Sequence, residues 1–340
     1  MQLINILLHT LPGICEETCE MEKIVFLYKQ ANVPDEIIEA IKLKTPAGFE
    51  VIFCEEKMST EERRKYVAIA DYFMLYTVGF DDLDVAKKAK LMQILSAGYD
   101  RLNVKNLKSA GIPLATNGGA NAPTVAEHTM MLILALYRKL PLHHISLKNG
   151  EWLGHREVLS LNEIRGKKVG IVGFGKIGRE VAQMAKGFRA EVVYSDPVRA
   201  SSQVEMELGA TQVDFGELIK TADIVTIHTP LTSDSLGLID APILASMKDS
   251  AILINTSRGG AVVEKDLVAA LNKKIIAGAG LDVFEQEPLE DSPLRELENV
   301  IITPHTAGST IDTWWRRLDF AFENIRRVSR GEKALFVVDE

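Results

Sequence analysis

Three polar residues in the second half of the sequence have side chains that together could act on a small carboxylic acid. Arg258, Glu287 and His305 each follow an apolar run that is predicted to be a strand. An Arg guanidinium pairs with a carboxylate through two parallel hydrogen bonds, and a His exchanges a proton near neutral pH. A carboxylate beside that His favours its charged form. Because open α/β sheets bind their ligands beyond the carboxyl ends of the strands, we expect the three side chains to converge there.

A second pattern, Gly-Phe-Gly-Lys-Ile-Gly at 173–178, lies between a predicted strand and a helix-compatible run. Gly173 permits a tight turn, Gly175 lets the backbone approach a pyrophosphate, and Gly178 lets the helix pack closely on the strand. The phosphates would bind to free N–H groups at the start of the helix. The pattern therefore predicts a dinucleotide site.

The type of dinucleotide is indicated by Asp196, which ends the next predicted strand 18 residues after Gly178. A carboxylate there accepts hydrogen bonds from the ribose hydroxyls and repels a 2′-phosphate. We therefore predict NAD rather than NADP as the cofactor. Arg199 is the nearby residue that argues for NADP.

These residues require a parallel sheet to position them, and short apolar runs alternate with helical stretches along most of the chain. Such alternation is typical of βαβ units. Helix starts are predicted at Pro34 and at Ser59. The predicted strands form two series, 23–28, 49–54, 72–76 and 91–95, then 168–172, 191–195, 224–228, 251–255, 277–281 and 300–303. The second series of six is a full doubly wound set.

The stretch 117–149 between the two series is predicted to be the longest helical one. Pro123 and the spacing of Thr124 and Glu127 indicate a helix start with a capping box. The stretch is apolar on several faces, which predicts burial against both domains or against a second copy of the chain. We expect a homo-oligomer.

Composition excludes several classes of protein. At 340 residues, the chain is long enough for two domains, and its net charge of −8, from 39 basic and 47 acidic residues, is the wrong sign for binding nucleic acid. Three cysteines, Cys15, Cys19 and Cys54, are too few for a disulfide framework and suit a reducing cytoplasm. No metal site and no membrane span are expected, and the apolar start lacks the basic residues and the cleavage site of a secretory signal.

Taken together, the glycine motif, Asp196 and the segments 255–260, 282–288 and 304–308 closely resemble the D-isomer-specific 2-hydroxyacid dehydrogenases. The resemblance runs in order over about residues 90–310. It implies a Rossmann NAD-binding domain, residues 105–306, inserted into a smaller flavodoxin-like substrate domain, residues 1–104 and 307–340. It also implies a homodimer formed largely through 117–149.

The resemblance further implies roles for individual residues. His305 exchanges the proton of the substrate hydroxyl, Glu287 orients His305, and Arg258 grips the carboxylate and the C2 oxygen while hydride passes between C2 and the nicotinamide. Val78, Gly79 and Gly98 match loops that contact the substrate carboxylate. The implied cofactor contacts, beyond Gly173, Gly175, Gly178 and Asp196, are Lys176, Ile177, Thr229, Pro230, Thr256, Ser257, Arg258, Asp282, His305 and Gly308.

The sequence does not identify the substrate. Trp152 matches a tryptophan found in relatives that act on glyoxylate or hydroxypyruvate, but His155 stands where a second aromatic residue is expected. No basic cluster lies near the substrate loops, so a small 2-keto acid with an uncharged tail is favoured. The alternatives are a phosphite or formate dehydrogenase on the same frame, or a corepressor-like module that senses NAD.

Overall fold

The computed structural model describes residues 21–338, so Cys15, Cys19 and the apolar start lie outside the described residues. The chain forms two compact units. The first comprises the described residues up to Ile94, Val104–Ala115 and the chain from Phe322. The second comprises Leu95–Asn103 and Thr116–Ala321.

The first unit contains a five-stranded sheet in which every neighbouring pair is parallel. Its strand order, β2-β1-β3-β4-β5, is the flavodoxin-like order. The strands are β1 (Glu22–Tyr28), β2 (Phe49–Glu55), β3 (Tyr72–Tyr76), β4 (Leu91–Ile94) and β5 (Leu114–Ala115).

The helices of the first unit are α1 (Asp35–Lys44), α2 (Thr60–Ile69) and α3 (Val104–Ser109). Both predicted helix starts are confirmed. The α1 helix has acidic residues in its first turn and lysines in its last, which complements the helix dipole. The Ser59 side chain caps α2 by accepting a hydrogen bond from the backbone N–H of Glu62 at 3.2 Å.

The second unit contains a seven-stranded parallel sheet in the order β12-β11-β10-β9-β6-β7-β8. Renumbered from its first strand, this is the Rossmann order extended by one strand. The predicted α/β fold class is confirmed. The strands are β6 (Lys168–Val172), β7 (Glu191–Ser195), β8 (Ala210–Gln212), β9 (Ile224–Ile227), β10 (Ile252–Asn255), β11 (Gly278–Leu281) and β12 (Val300–Ile302).

The apolar residues of this sheet alternate between two buried clusters. On β9, Ile224 belongs to one cluster, whereas Val225 and Ile227 belong to the other. Successive side chains of a strand point to opposite faces, so both faces of the sheet are covered. The covering explains why the central strands β6, β9, β10 and β11 are largely apolar.

The helices around this sheet are named in chain order. They are α4 (Ala122–Tyr137), α5 (Leu140–Lys148), α6 (Lys176–Gly187), α7 (Ser202–Leu208), α8 (Phe215–Thr221), α9 (Ala241–Ser246), α10 (Glu264–Asn272) and α11 (Ile311–Ser329). Residues of α11 from Phe322 onward belong to the first unit.

The prediction that 117–149 is the longest helical stretch is wrong, because this stretch forms two helices that are each shorter than α11. Helices α4 and α5 are separate because Lys139 adopts a left-handed backbone conformation with φ of 48°. The capping box is also wrong: the helix follows Asn121, and Thr124 is already helical. The Thr124 hydroxyl lies 2.7 Å from that of Thr313 instead. The longest helix is α11, with 19 residues.

Two strands were not predicted, β5 and β8, and each lies at the edge of its sheet. They have two and three residues, which is too short for a periodic apolar pattern. No helix within residues 21–338 combines the length and the apolarity that crossing a membrane requires.

Candidate functional site

The three predicted chemical residues lie at one edge of the second sheet. Arg258 follows β10, Glu287 follows β11 and His305 follows β12. These three strands are adjacent and parallel, so their carboxyl ends share that edge. The three residues therefore lie in the loops that follow this edge of the sheet, where the sequence predicted that they converge.

His305 and Glu287 form a direct pair. The Nδ1 atom of His305 lies 2.7 Å from Oε2 of Glu287, and Oε1 accepts the backbone N–H of Phe284 at 3.2 Å. Burial alone would raise the pKa of Glu287, but the His305 hydrogen bond and charge, the Phe284 N–H and the Arg258 charge outweigh it and lower that pKa. The carboxylate is therefore ionised at neutral pH and accepts the Nδ1 proton, which leaves Nε2 to exchange a proton with a ligand.

The backbone of His305 is held in a left-handed conformation with φ of 54°, which costs about 1 kcal/mol or more for a residue with a Cβ atom. Its N–H donates to the carbonyl oxygen of Asp282 at 2.9 Å. Strain of this kind persists where the surroundings fix it, and it is common at functional sites.

Arg258 is fixed from two sides. Its Nε donates to Oδ1 of Asp100 at 2.8 Å, and Nη1 donates to the carbonyl oxygen of Ser257 at 2.8 Å. Burial would raise the pKa of Asp100, but the charge and hydrogen bond of Arg258 lower it on balance. A Cβ atom on Gly98 would lie 1.4 Å from Nη2, so only glycine lets the guanidinium lie against that loop.

Asp100 was not predicted as a partner of Arg258, since 158 residues separate the two in the chain. The sequence placed Gly98 among the substrate loops, and the structure places it in the second unit against the guanidinium. Val78 and Gly79 lie in the first unit, after β3 and next to Thr77, whose φ is 60°. Their predicted role in binding substrate stays a prediction.

A buried carboxylate, Asp282, fastens the loop that carries His305. It accepts the Thr303 hydroxyl at 2.6 Å and the backbone N–H groups of Thr306 and Ala307 at 2.9 and 2.8 Å. Asp282 is 1% exposed, and three hydrogen bonds are what allow a carboxylate to be buried there. It thereby sets the position of the chain on either side of the catalytic candidate.

His128 of α4 extends this network and was given no role from the sequence. Its Nε2 lies 2.9 Å from the Thr303 hydroxyl oxygen and 3.6 Å from Oδ1 of Asp282. Burial lowers the pKa of His128, and the Asp282 charge only partly opposes this. Because the hydroxyl proton of Thr303 goes to Asp282, we assign the Nε2–H tautomer, in which His128 donates to Thr303.

The segment 255–258 is shaped by the side chain of Asn255. Its Oδ1 accepts the backbone N–H and the hydroxyl of Ser257 at 3.0 and 2.9 Å, and its Nδ2 donates to the Arg258 carbonyl oxygen at 2.9 Å. The Thr256 hydroxyl lies 3.0 Å from that of Thr129 on α4. These hydrogen bonds therefore hold in place the loop that carries Arg258.

The glycine motif forms the predicted turn between β6 and α6. Gly173 has a φ of 92°, and a Cβ atom on Gly178 would lie 2.2 Å from the Gly173 carbonyl oxygen. No side chain caps α6 at Gly175, and no atom within residues 21–338 lies within 4 Å of where a Cβ of Gly175 would be. Within that range, the start of α6 thus has no side-chain cap and has open space beside Gly175.

Asp196 lies beside this turn at the end of β7. Its Oδ2 accepts the backbone N–H of Phe174 at 2.7 Å, and its Oδ1 accepts that of Val198 at 2.8 Å. A carboxylate has about four acceptor positions, so it can still accept hydrogen bonds from a ribose. The Lys176 side chain points to the loop before α4, where its Nζ donates to the Gly118 carbonyl oxygen.

The chain after β9 completes the lining of the glycine turn. The position of a Cβ on Gly173 lies 2.8 Å from the His228 carbonyl oxygen and 3.0 Å from Cγ2 of Thr229. Within residues 21–338, the buried Thr229 hydroxyl and His228 Nδ1 have no hydrogen-bond partner. Burial lowers the pKa of His228 to about 3, so its ring is neutral.

The other two predicted cofactor residues are placed in structured loops. The Pro230 carbonyl oxygen accepts the Ser235 hydroxyl at 2.6 Å, and the Gly308 carbonyl oxygen accepts from Nη2 of Arg317 at 3.1 Å. Neither contact is to a ligand, so their cofactor roles stay predictions. Residues 21–338 contain no group of three or more His, Cys, Asp or Glu side chains placed to hold a metal ion.

The turn meets the chemical requirements of a bound dinucleotide. An uncapped helix start can bind a pyrophosphate, Asp196 can bind a ribose, and the unsatisfied Thr229 hydroxyl can bond to a ligand in the same place. In this sheet order, the turn after the first strand and the loop after the fourth flank the switch point, where such ligands bind.

Comparison with known proteins agrees with this geometry. Residues 130–307 match the family model of the D-isomer specific 2-hydroxyacid dehydrogenase NAD binding domain. A glyoxylate reductase of Korarchaeum cryptofilum is 37% identical over 252 residues, which cover 73% of this chain and 76% of that protein. A D-3-phosphoglycerate dehydrogenase of Methanocaldococcus jannaschii is 37% identical over 286 residues, which cover 83% of this chain but only 54% of that protein.

Among solved structures, the acyclic imino acid reductase Bsp5 in complex with NADPH and D-Arg has a TM-score of 0.81 at 28% identity, covering 93% of this chain and all of that one. The family model spans the strands that carry the glycine turn, Arg258, Glu287 and His305. The chain belongs to the D-isomer-specific 2-hydroxyacid dehydrogenases, NAD-dependent oxidoreductases that act on small 2-hydroxy or 2-keto acids.

Proposed function

We propose that Arg258, Glu287 and His305 carry out the conversion of a small 2-keto acid to a D-2-hydroxy acid, and its reverse. The observation that carries this proposal is the 2.7 Å pair between His305 Nδ1 and Glu287 Oε2, beside a guanidinium whose charge also acts on Glu287. One site thus combines a proton carrier, a carboxylate that stabilises its charged form, and a binding group for an anionic substrate.

In reduction, His305 gives the proton on Nε2 to the substrate carbonyl oxygen, and in oxidation it takes the hydroxyl proton back. Glu287 keeps the Nδ1 proton in place and stabilises the imidazolium that oxidation creates. NAD, when bound, supplies or accepts the hydride at C2 of the substrate.

Arg258 pairs with the substrate carboxylate and stabilises the negative charge that develops on the C2 oxygen. Asp100 holds the guanidinium through Nε, which leaves Nη2, on the side of Gly98, for the substrate. We therefore assign Gly98 to the substrate loop because it leaves room for that guanidinium.

We assign the cofactor to the glycine turn. The N–H groups at the start of α6, including those of Lys176 and Ile177, hold the pyrophosphate, and Asp196 accepts from the ribose hydroxyls. The negative charge of Asp196 repels a 2′-phosphate, which supports NAD over NADP. Thr229 lies where its free hydroxyl can bond to the cofactor.

We also propose that two copies of the chain associate through α5 and the exposed side of α4. Apolar side chains there are unusually exposed, including Leu140 at 59%, Ile145 at 56% and Leu147 at 58%. Single exposed apolar residues are common on proteins, but several of them along one nine-residue helix indicate an interaction surface. Analytical ultracentrifugation tests this: we expect a dimer that becomes a monomer when Ile145 and Leu147 are replaced by Asp.

The net charge of −8 argues against nucleic acid as a partner, and the few cysteines support a cytoplasmic location. We further propose that residues 1–104 and 307–340 form the substrate domain and residues 105–306 the cofactor domain.

A substrate panel tests the proposed reaction. Purified full-length chain is mixed with NADH or NADPH and glyoxylate, hydroxypyruvate, pyruvate or a bulkier 2-keto acid, and separately with NAD⁺ and phosphite or formate. We expect NADH-dependent reduction of a small 2-keto acid. Turnover of phosphite or formate without turnover of any 2-keto acid would contradict the proposal.

A further inference from the structure

Arg199 is the basic residue that follows Asp196 most closely in the sequence. The backbone N–H of Val198 donates to the Asp196 carboxylate, so the chain turns around that carboxylate just before Arg199. A cation next to the ribose-binding position is the feature that attracts the 2′-phosphate of NADP. What Arg199 binds in this structure therefore bears on the choice of cofactor.

The Arg199 guanidinium is paired with Glu205 of α7 through two hydrogen bonds. Nε donates to Oε1 and Nη2 donates to Oε2, both at 3.1 Å. This two-point geometry is the one by which Arg also binds phosphate, so the same donors cannot serve both anions at once. The Arg199 side chain is 69% exposed and that of Glu205 only 14%, so the carboxylate is the fixed partner.

Glu205 is fixed by residues that belong to the ribose edge. The Tyr194 hydroxyl donates to Oε1 of Glu205 at 2.8 Å and accepts the backbone N–H of Ala200 at 3.0 Å. The Tyr194 ring stacks on Phe174 of the glycine turn, with 3.8 Å between ring centroids. Phe174 in turn donates its N–H to Asp196. The position of Glu205 is thus tied to the residues that surround the predicted ribose site.

We propose that Glu205 is a specificity-determining residue, which holds Arg199 in an ion pair and so prevents it from binding the 2′-phosphate of NADP. Asp196 repels the phosphate directly, and Glu205 removes the cation that would attract it. This inference rests on the proposed use of the glycine turn for NAD, and it predicts that loss of the Glu205 charge releases Arg199 toward an adenosine 2′-phosphate.

Cofactor binding without substrate is the test, since it does not depend on turnover. Dissociation constants for NADPH and NADH are measured by cofactor fluorescence for Asp196→Ser and for Asp196→Ser with Glu205→Gln. Glutamine can still accept the Tyr194 hydrogen bond. We expect the ratio of the NADPH to the NADH dissociation constant to fall about tenfold when Glu205→Gln is added, the effect of one new charge-assisted contact.

Two controls separate this mechanism from a general change in charge. Adding Arg199→Ala must abolish the gain, because the gain requires the released guanidinium. Glu207→Gln, which removes the same charge two residues along α7, must change the ratio by less than about twofold. An unchanged ratio in the Glu205→Gln variant, or a gain that survives Arg199→Ala, overturns the proposal while NADH binding persists. Failure of the unsubstituted chain to bind NADH would refute the cofactor assignment itself.

Discussion

Two corners of the second sheet share one edge but are built in different ways. The first, which we propose to be catalytic and call the catalytic corner, comprises Arg258, Glu287 and His305. The second, the glycine corner, comprises Gly173, Gly175, Gly178 and Asp196. At the catalytic corner, side chains hold other side chains and loops in place, as in the pair of Glu287 with His305. At the glycine corner, no side chain caps the start of α6, and Gly175 leaves open space beside the backbone. Proton transfer requires oriented side chains, whereas binding of a pyrophosphate requires backbone N–H groups that no side chain covers.

This contrast predicts that the catalytic corner can lose activity while the protein still folds. Glu287→Gln removes the charge that stabilises a protonated His305, and we expect kcat to fall roughly 100-fold, measured by NADH absorbance with the 2-keto acid that the panel identifies. Glu285→Gln is the matched control, since it removes the same charge at an exposed neighbouring position, and should change kcat by less than about threefold. Equal effects of the two variants would contradict the assigned role of Glu287.

At the glycine corner, by contrast, we expect substitutions to lower stability, because they disturb packing. Gly178→Ala places a Cβ atom 2.2 Å from the Gly173 carbonyl oxygen, and we expect a loss of about 1–3 kcal/mol of stability together with weaker NADH binding. In Gly187→Ala, at the other end of α6, the new Cβ meets no atom within 4 Å. Calorimetry should find that second variant unchanged or up to about 1 kcal/mol more stable. Equal melting temperatures for the two variants would refute the close contact.

A smaller effect is expected at Asp100, which positions Arg258 but does not touch the reacting atoms in our account. Asp100→Asn removes the negative charge that accepts the hydrogen bond from Arg258 Nε. We therefore expect KM for the keto acid to rise about tenfold and kcat to change less. Steady-state kinetics at saturating NADH measures this split. A fall in kcat alone would show that Asp100 does not act through substrate binding.

The smallest expected effect is a dependence of stability on pH. The pKa of Glu287 is lower in the folded protein than its ordinary value, so this carboxyl stabilises the fold above its unfolded-state pKa. That contribution disappears as the pH falls through the lowered folded-state value. Thermal melting of the native chain and of Glu287→Gln should therefore differ more at pH 7 than at pH 3. A difference that grows on acidification would contradict the sign of this shift.

The sequence predicted the parts of the site that lie next to strand ends in the chain. Arg258, Glu287, His305 and the glycine turn were placed correctly because each follows an apolar run closely. Asp100 and His128 were missed as partners, since Arg258 is 158 residues from the first and Thr303 is 175 from the second. Only folding brings such residues together, and no local pattern marks them.

Prediction of the fold from the sequence had the same limit. Long apolar strands such as β6 were predicted with their observed bounds, but the short edge strands β5 and β8 were not. Thr124 had the spacing of a capping box, yet its hydroxyl bonds to Thr313 across 189 residues. A tertiary contact there replaced the local one that the sequence suggested.

The proposed role of His305 as the proton carrier can be measured by stopped-flow analysis of a single turnover in His305→Gln. NADH oxidation is followed with both NADH and keto acid at saturating concentration, so that changes in affinity do not enter. We expect a rate constant roughly 1,000-fold lower than that of the unsubstituted chain. A rate constant within about threefold of the unsubstituted value would contradict it.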